Sequence, residues 1–330
     1  VSSGGVRVGG FSLGGVDRQY ERSAIYPGVF HFLLSLSTHG MPPGVAPLSV
    51  AVLTARAREI GLSQLGKDHH VVQCCAAVGA AAGYRGWGIG DIRYGSVAEW
   101  LFQSRKGQRK FRNFRSLTSE APSGLPVKYI FIGDTGEQDK DVAERMVQED
   151  PETMLAVFLH VVSQELLPNS ALPDDSRING VPVLYFRTYV GAALKAVEHG
   201  LMSQEALWEI VRRSHWELTK HCLDASDPSQ QTHRSKWEDW RRDVLLVRRR
   251  FPEQSGTYDA VLLPRTSATR EDAGSEEEES WSAHHKFRDS LGVGTPPLSG
   301  EVGEPGLAEA HGEATVRREI REGGQSQGGP

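Results

Sequence analysis

The chain has 330 residues, carries a formal net charge of −5, and is 38% hydrophobic with 36 glycines. That length allows one large domain or two ordinary ones, and the low apolar share implies a folded part diluted by sequence that does not pack. The acidic balance leaves no global basic footprint for nucleic acid, three cysteines are too few for a disulfide framework or a zinc site, and no apolar run reaches the length of a membrane span.

So few cysteines fit a reducing compartment, and a cytoplasmic location is the expectation. Val1 stands where an initiating Met would, which points to a natural start further upstream and leaves a targeting signal open.

Residues 1–13 are rich in Gly and Ser, show no period and read as a loop. Tyr26-Pro27-Gly28 is a turn that opens a helix over residues 29–36, with Phe30, Leu33 and Leu34 at helical spacing. A proline-bearing loop leads to a short buried strand at 49–53, followed by Thr54-Ala55-Arg56. Small apolar residues at 71–82 predict a packed helix, WGIGDIRY at 87–94 a loop and strand, and 96–102 another helix. Residues 106–117 form a basic helix, and 129–132 a strand.

A helix follows over Asp139–Glu149, then strands at 154–162 and 183–186, and helices at 190–199 and 205–220. Gly200 is placed as a helix stop and Ser203 as an N-cap. This alternation predicts an α/β fold with a parallel sheet and crossover helices. Residues 1–224 form the expected catalytic domain and 225–252 a basic Trp-containing helix. Trp237, Trp240, Val244 and Val247 share roughly one face of that helix, which either closes the domain or lies on an anionic membrane. From 253 to 330, Gly, Ser, Pro, Glu and Arg dominate, and a disordered C-terminal tail is expected.

The segment KYIFIGDTGEQDKD, residues 128–141, holds the densest chemistry. An apolar run ends on Gly133, Asp134 follows at once, and Asp139 comes five residues later. Ligands of open parallel sheets bind at the carboxyl ends of the strands, so Asp134 is aimed where a site would form. Two carboxylates without Cys or His favour a hard cation such as Mg²⁺. The same residues also suit a plain turn and the cap of the next helix. Upstream, Thr54 ends a strand and Lys110 lies on the basic helix. A hydroxyl, a lysine and a carboxylate pair are together what phosphoryl transfer requires.

On these residues the chain resembles the haloacid dehalogenase superfamily, and within it the actin-patch-protein type of phosphatidate phosphatase, over about residues 4–199. YPGVFHFL, YGSVAEWL and YFRTYVGAA add to the likeness. The resemblance implies a doubly wound parallel sheet in a three-layer sandwich. It assigns Thr54 to the second motif's phosphate-binding hydroxyl, Lys110 to the third motif's lysine, and Asp134 and Asp139 to the metal carboxylates of the fourth. It implies Mg²⁺ as cofactor, phosphatidate or another anionic lipid phosphate as substrate, peripheral contact with a membrane surface, and an aspartyl-phosphate route to diacylglycerol. The family's first motif, a strand ending in Asp-x-Asp-x-Thr that carries the nucleophile, has no counterpart here, and Asp17 has no strand before it. The expectation is a fragment inactive by itself. The alternative is a non-catalytic lipid- or protein-binding scaffold.

Among the remaining residues, His69-His70 are expected at a helix start or surface rather than on a metal, and Cys74-Cys75 as small hydrophobes rather than a redox pair. Arg56 and Arg58 suit either a phosphate contact or solvation, and Arg93, Tyr94 and Trp100 either the substrate region or packing.

Overall fold

The computed structural model describes residues 6–8, 11–13, 17, 19–20, 24–42, 44–57, 65–95, 103–120, 127–136, 138–162, 171–220 and 230–253. The helix expected at 96–102, Trp100, Arg58, the side chain of Arg56 and the tail from 254 onward lie outside them.

The fold is mixed α/β and built on parallel strands. β3 (Val50–Ala57) pairs in parallel with β4 (Ile89–Gly95). β5 (Tyr129–Asp134), β6 (Met154–His160) and β8 (Val181–Phe186) are parallel neighbours, and β7 (Ser176–Ile178) closes the far edge antiparallel to β8. The helices are α1 (Val29–Thr38), α2 (His70–Ala81), α3 (Gln103–Ser119), α4 (Asp139–Glu149), α5 (Tyr189–Glu198), α6 (Gln204–Lys220) and α7 (Gln230–Arg250).

Three expectations need correction. Residues 1–13 are not all loop: β1 (Val6–Val8) and β2 (Phe11–Leu13) form an antiparallel pair, so Asp17, expected to have no strand before it, follows two. Apolar residues alternate on both sides of a Gly-Gly pair, which is a hairpin signal the loop reading passed over. The parallel strands do not make one sheet, because no described strand hydrogen-bonds β3 to β5. β3 also runs on past Thr54 to Ala57, so Thr54 is not strand-terminal.

Side chains alternate across each strand, and the two resulting faces feed two separate cores. Ile130, Ile132, Ala156, Phe158, Leu184 and Phe186 join the cluster covered by α1, α2, α5, α6 and α7. Tyr129, Phe131, Val157, Leu159, Val183 and Tyr185 join the cluster covered by α3 and α4. β3 contributes to both, through Val50 and Leu53 respectively. Helices on both sides of parallel strands are compatible with an α/β sandwich.

The inner face of the basic helix closes the domain. Trp240, Val244 and Val247 are buried in the first cluster, and the Trp240 indole donates to Ser214 Oγ at 2.8 Å. A buried polar network fastens the same helix. Arg187 Nε donates to Asp239 at 3.0 Å, Gln19 Nε2 donates to Asp239 at 2.8 Å and to Ser235, and Thr188 Oγ1 donates to Asp243 at 2.7 Å.

Asp239 and Arg187 are 3% and 4% exposed, so neither charge can turn to water if its partner is lost. Asp239→Ala is expected to cost about 3–5 kcal/mol in denaturant unfolding, because the guanidinium stays buried and unpaired. Replacing both residues with apolar side chains should cost less than that single change.

Candidate functional site

Lys110 projects from α3 and Asp139 opens α4, and their side chains are only 9% and 8% exposed. The ammonium is ion-paired with Asp139 Oδ1. The second carboxylate oxygen, Oδ2, accepts from the backbone N–H of Asp134 at 3.2 Å. One aspartate thus ties the end of β5 to the lysine of α3.

Local sequence sets this geometry. A Cβ on Gly133 would stand 2.7 Å from Asp139 Cβ and 2.9 Å from its Oδ2, so only glycine lets α4 start this close to β5. Gly107 does the same for α3. Its N–H donates to Gln138 Oε1 at 3.0 Å, and a Cβ there would meet that oxygen at 2.8 Å.

Asp134 is the last residue of β5, in register with His160 at the end of β6. Its Oδ1 accepts from Gly136 N–H at 2.9 Å. The turn reading is seen in this motif, since one oxygen builds the turn, and the carboxylate lies at the carboxyl end of β5. Thr54 is half-buried on β3, a strand that packs on α3 but belongs to the other sheet. The structure brings Lys110, Asp134 and Asp139 together, and leaves Thr54 on the neighbouring sheet rather than at the same edge.

The donor set gives a metal limited support. Among the described residues no three His, Cys, Asp or Glu side chains gather as a metal site. Asp139 has one oxygen on Lys110 and the other on a backbone N–H, so it serves the lysine. Asp134 keeps one carboxylate oxygen on Gly136 N–H, and its backbone N–H on Asp139.

Sequence reading missed His160. It is 4% exposed and lines a small cleft with Tyr20, Tyr26, Arg187, Lys236 and Trp240. Its Nε2 lies 2.8 Å from the Arg187 carbonyl, which can only accept, so Nε2 carries a proton, and burial, which lowers the ring to about 3, keeps it neutral. Nδ1 is a buried acceptor with no hydrogen-bond partner. Beside it the Tyr26 hydroxyl donates to Asp17 at 3.0 Å. Burial pushes the Asp17 carboxyl above its usual range, against the pull of the Gln19 N–H and the Tyr26 hydroxyl. No spacing signal marks His160, because it follows an unbroken apolar strand.

Other candidates resolve toward structure. His69 caps α2, its Nδ1 accepting from Val71 N–H at 3.3 Å. Arg93 is held by Asp91 and Glu120, and the Tyr94 hydroxyl accepts from Leu65 N–H at 2.9 Å. Cys74 and Cys75 are free thiols, but of the pair expected to be buried only Cys75 is, Cys74 being exposed, and burial raises the Cys75 thiol to about 12, far from a reactive thiolate.

Compared with family models, curated proteins and solved structures, the chain finds no match in any of the three.

Gly133→Ala is expected to push Asp139 away from β5, loosen its bond to Lys110 and cost about 1–3 kcal/mol in denaturant unfolding. Gly83→Ala is the wrong control, since its φ of +88° is strained for any side chain; Gly66→Ala, with open space around it, should cost far less.

A pH dependence follows from two histidines. Burial lowers His160 to about 3 and His31 to about 4, against 6.5 for an exposed imidazole. The unfolded chain therefore binds more protons below 6.5, so their stabilisation is complete above that value and is lost as pH falls toward the folded values. Between about pH 7 and pH 5 the melting temperature should drop, and His160→Phe should flatten that drop. An unchanged slope in the variant would show that His160 is protonated in the fold.

Proposed function

We propose that this chain carries the phosphate-binding part of a Mg²⁺-dependent phosphatase of the haloacid dehalogenase type, acting on a lipid phosphomonoester such as phosphatidate. The observation that supports it most is the buried Lys110–Asp139 pair fixed to the backbone of Asp134 at the carboxyl end of a parallel strand. A buried ammonium held by an aspartate beside a strand-terminal carboxylate is a preorganised place for a phosphoryl group.

In this reading Asp139 fixes the position of Lys110, and the ammonium draws charge off the phosphoryl oxygens as it builds up in the transition state. Thr54 donates its hydroxyl to one of those oxygens once its sheet is joined to that of β5. Asp134 is the carboxylate toward Mg²⁺, which when bound would neutralise phosphate charge. The attacking carboxylate would come from an Asp-x-Asp-x-Thr strand that the sequence does not contain. In this reading such a strand would sit between β3 and β5, which are not joined by any described strand and which feed the same two cores. Filling that place would make the sheet continuous, doubly wound and three-layered. The expected setting is the cytoplasm with peripheral contact at a membrane, and no helix among the described residues is long and apolar enough to cross one.

A non-catalytic scaffold is the second reading. It is favoured by the full engagement of Asp139 and by the lack of a third metal-site carboxylate among the described residues.

The test joins an in-frame strand ending in Asp-x-Asp-x-Thr ahead of Val1 and measures phosphate release from phosphatidate. Activity should appear and depend on Mg²⁺. Asp134→Asn should abolish it, and Lys110→Met should lower kcat by about a hundredfold or more. Release that survives a chelator or the Asp134 change would sink the assignment. No release from the joined protein, with the fold intact, would favour the scaffold.

A further inference from the structure

The inner face of α7 is used up by the core, and its outer face has a distinct composition. Leu245 and Leu246 are 52% and 44% exposed, among the largest apolar exposures in the described residues. Arg241 and Arg249 are exposed one turn before and one turn after Leu245, in a single row along the helix. Arg250 occupies the same place after Leu246.

These arginines differ from the others on the helix. Arg242 is neutralised by Asp239 at 3.2 Å and Asp243 at 3.1 Å. Arg241 instead lies over the Trp237 ring at 5.8 Å, a contact that leaves its charge in place. Arg250 reaches Glu198 at 3.5 Å with both side chains largely in water, where such a pair is weak.

We propose that the outer face of α7, centred on Leu245 and Leu246 and bounded by Arg241, Arg249 and Arg250, docks the protein on an anionic lipid bilayer. The inference rests on the functional reading above in so far as a lipid phosphomonoester is met at such a surface. The chemistry itself favours a bilayer over other polyanions. Nucleic-acid backbones are gripped by cations and hydrogen-bond donors, and two adjacent leucines add nothing there. At a headgroup boundary the same leucines leave water while the arginines meet anionic headgroups. The helix lies on the surface rather than across it, since its other face is committed to Trp240, Val244 and Val247.

The experiment is co-sedimentation of the full chain with phosphatidylcholine vesicles, with and without phosphatidylserine. Phosphatidylserine is a phosphodiester and no substrate for a phosphomonoesterase. Failure of docking and failure of the phosphatase assignment are therefore read separately, the first by sedimentation and the second by phosphate release. Binding should require phosphatidylserine and fall as salt is raised. Arg241→Gln with Arg249→Gln should weaken it about fivefold for each charge removed. Leu245→Ser with Leu246→Ser, which keeps every charge, should weaken it about tenfold. Arg241 and Arg249 are exposed and the two leucines about half-exposed, so the melting temperature should move little, and that measurement accompanies each variant. Equal binding to both vesicle types, or none to either, overturns the proposal. So does a leucine variant that binds as well as the parent, which would assign the face to a polyanion contact with no insertion.

Discussion

Everything at the candidate site depends on one buried charge pair. Lys110 and Asp139 come from different helices, and neither can leave the pair without stranding the other away from water. Such a pair adds little net stability over two well-packed apolar residues, yet breaking it is costly. Its effect here is on position. The second Asp139 oxygen is bonded to the Asp134 N–H, so the pair fixes where β5 ends relative to α3 and α4. Gly133 and Gly107 are the two places where the backbone had to give up a side chain for that approach.

A second polar network, on the opposite face of the strands, has a different character. Asp17, Gln19, Tyr26, Arg187, Ser235 and Asp239 link residues far apart in sequence, and hydrogen bonds satisfy most of their polar atoms. Its partners are spent on one another, which is what a clamp between α7 and the sheet requires. The exception is His160 Nδ1, an acceptor held neutral at the carboxyl end of β6. Between the two networks lies Asp134, whose charge reaches Tyr26 and Tyr189 on one side and whose backbone meets Asp139 on the other.

Much of the fold was legible because its signals are local. The start and end of α4, the N-terminal role of His69 and the apolar strands at β5, β6 and β8 follow from caps and short-range periodicity. Two hairpins were missed although their turns carry the signal. Asn179-Gly180 joins β7 to β8 with φ of +47° and +84°, the left-handed pair that an Asn-Gly turn adopts, and the β1–β2 pair flanks Gly-Gly. Of the site, the motif residues Lys110, Asp134 and Asp139 were legible. Their separation from Thr54 was not, because strand pairing between distant segments leaves no mark on either segment alone. Arg187, Asp239 and His160 were invisible for a related reason. A polar residue is buried when a partner elsewhere meets it, and periodicity records only where apolar residues fall.

The separation of β3 and β5 into two sheets bears on how the proposed chemistry would be assembled. β3 and β5 each present side chains to the same two cores, although no described strand joins them through backbone hydrogen bonds. Strands about 4.8 Å apart hydrogen-bond directly, while strands two places apart need a third between them. A strand in that place would satisfy both edges, continue the apolar contacts of Val50, Leu53, Ile130 and Phe131, and bring its own end beside Asp134. Thr54, three residues short of the end of β3, would reach the carboxyl edge only from within its strand. The functional reading therefore depends on what occupies the place between β3 and β5.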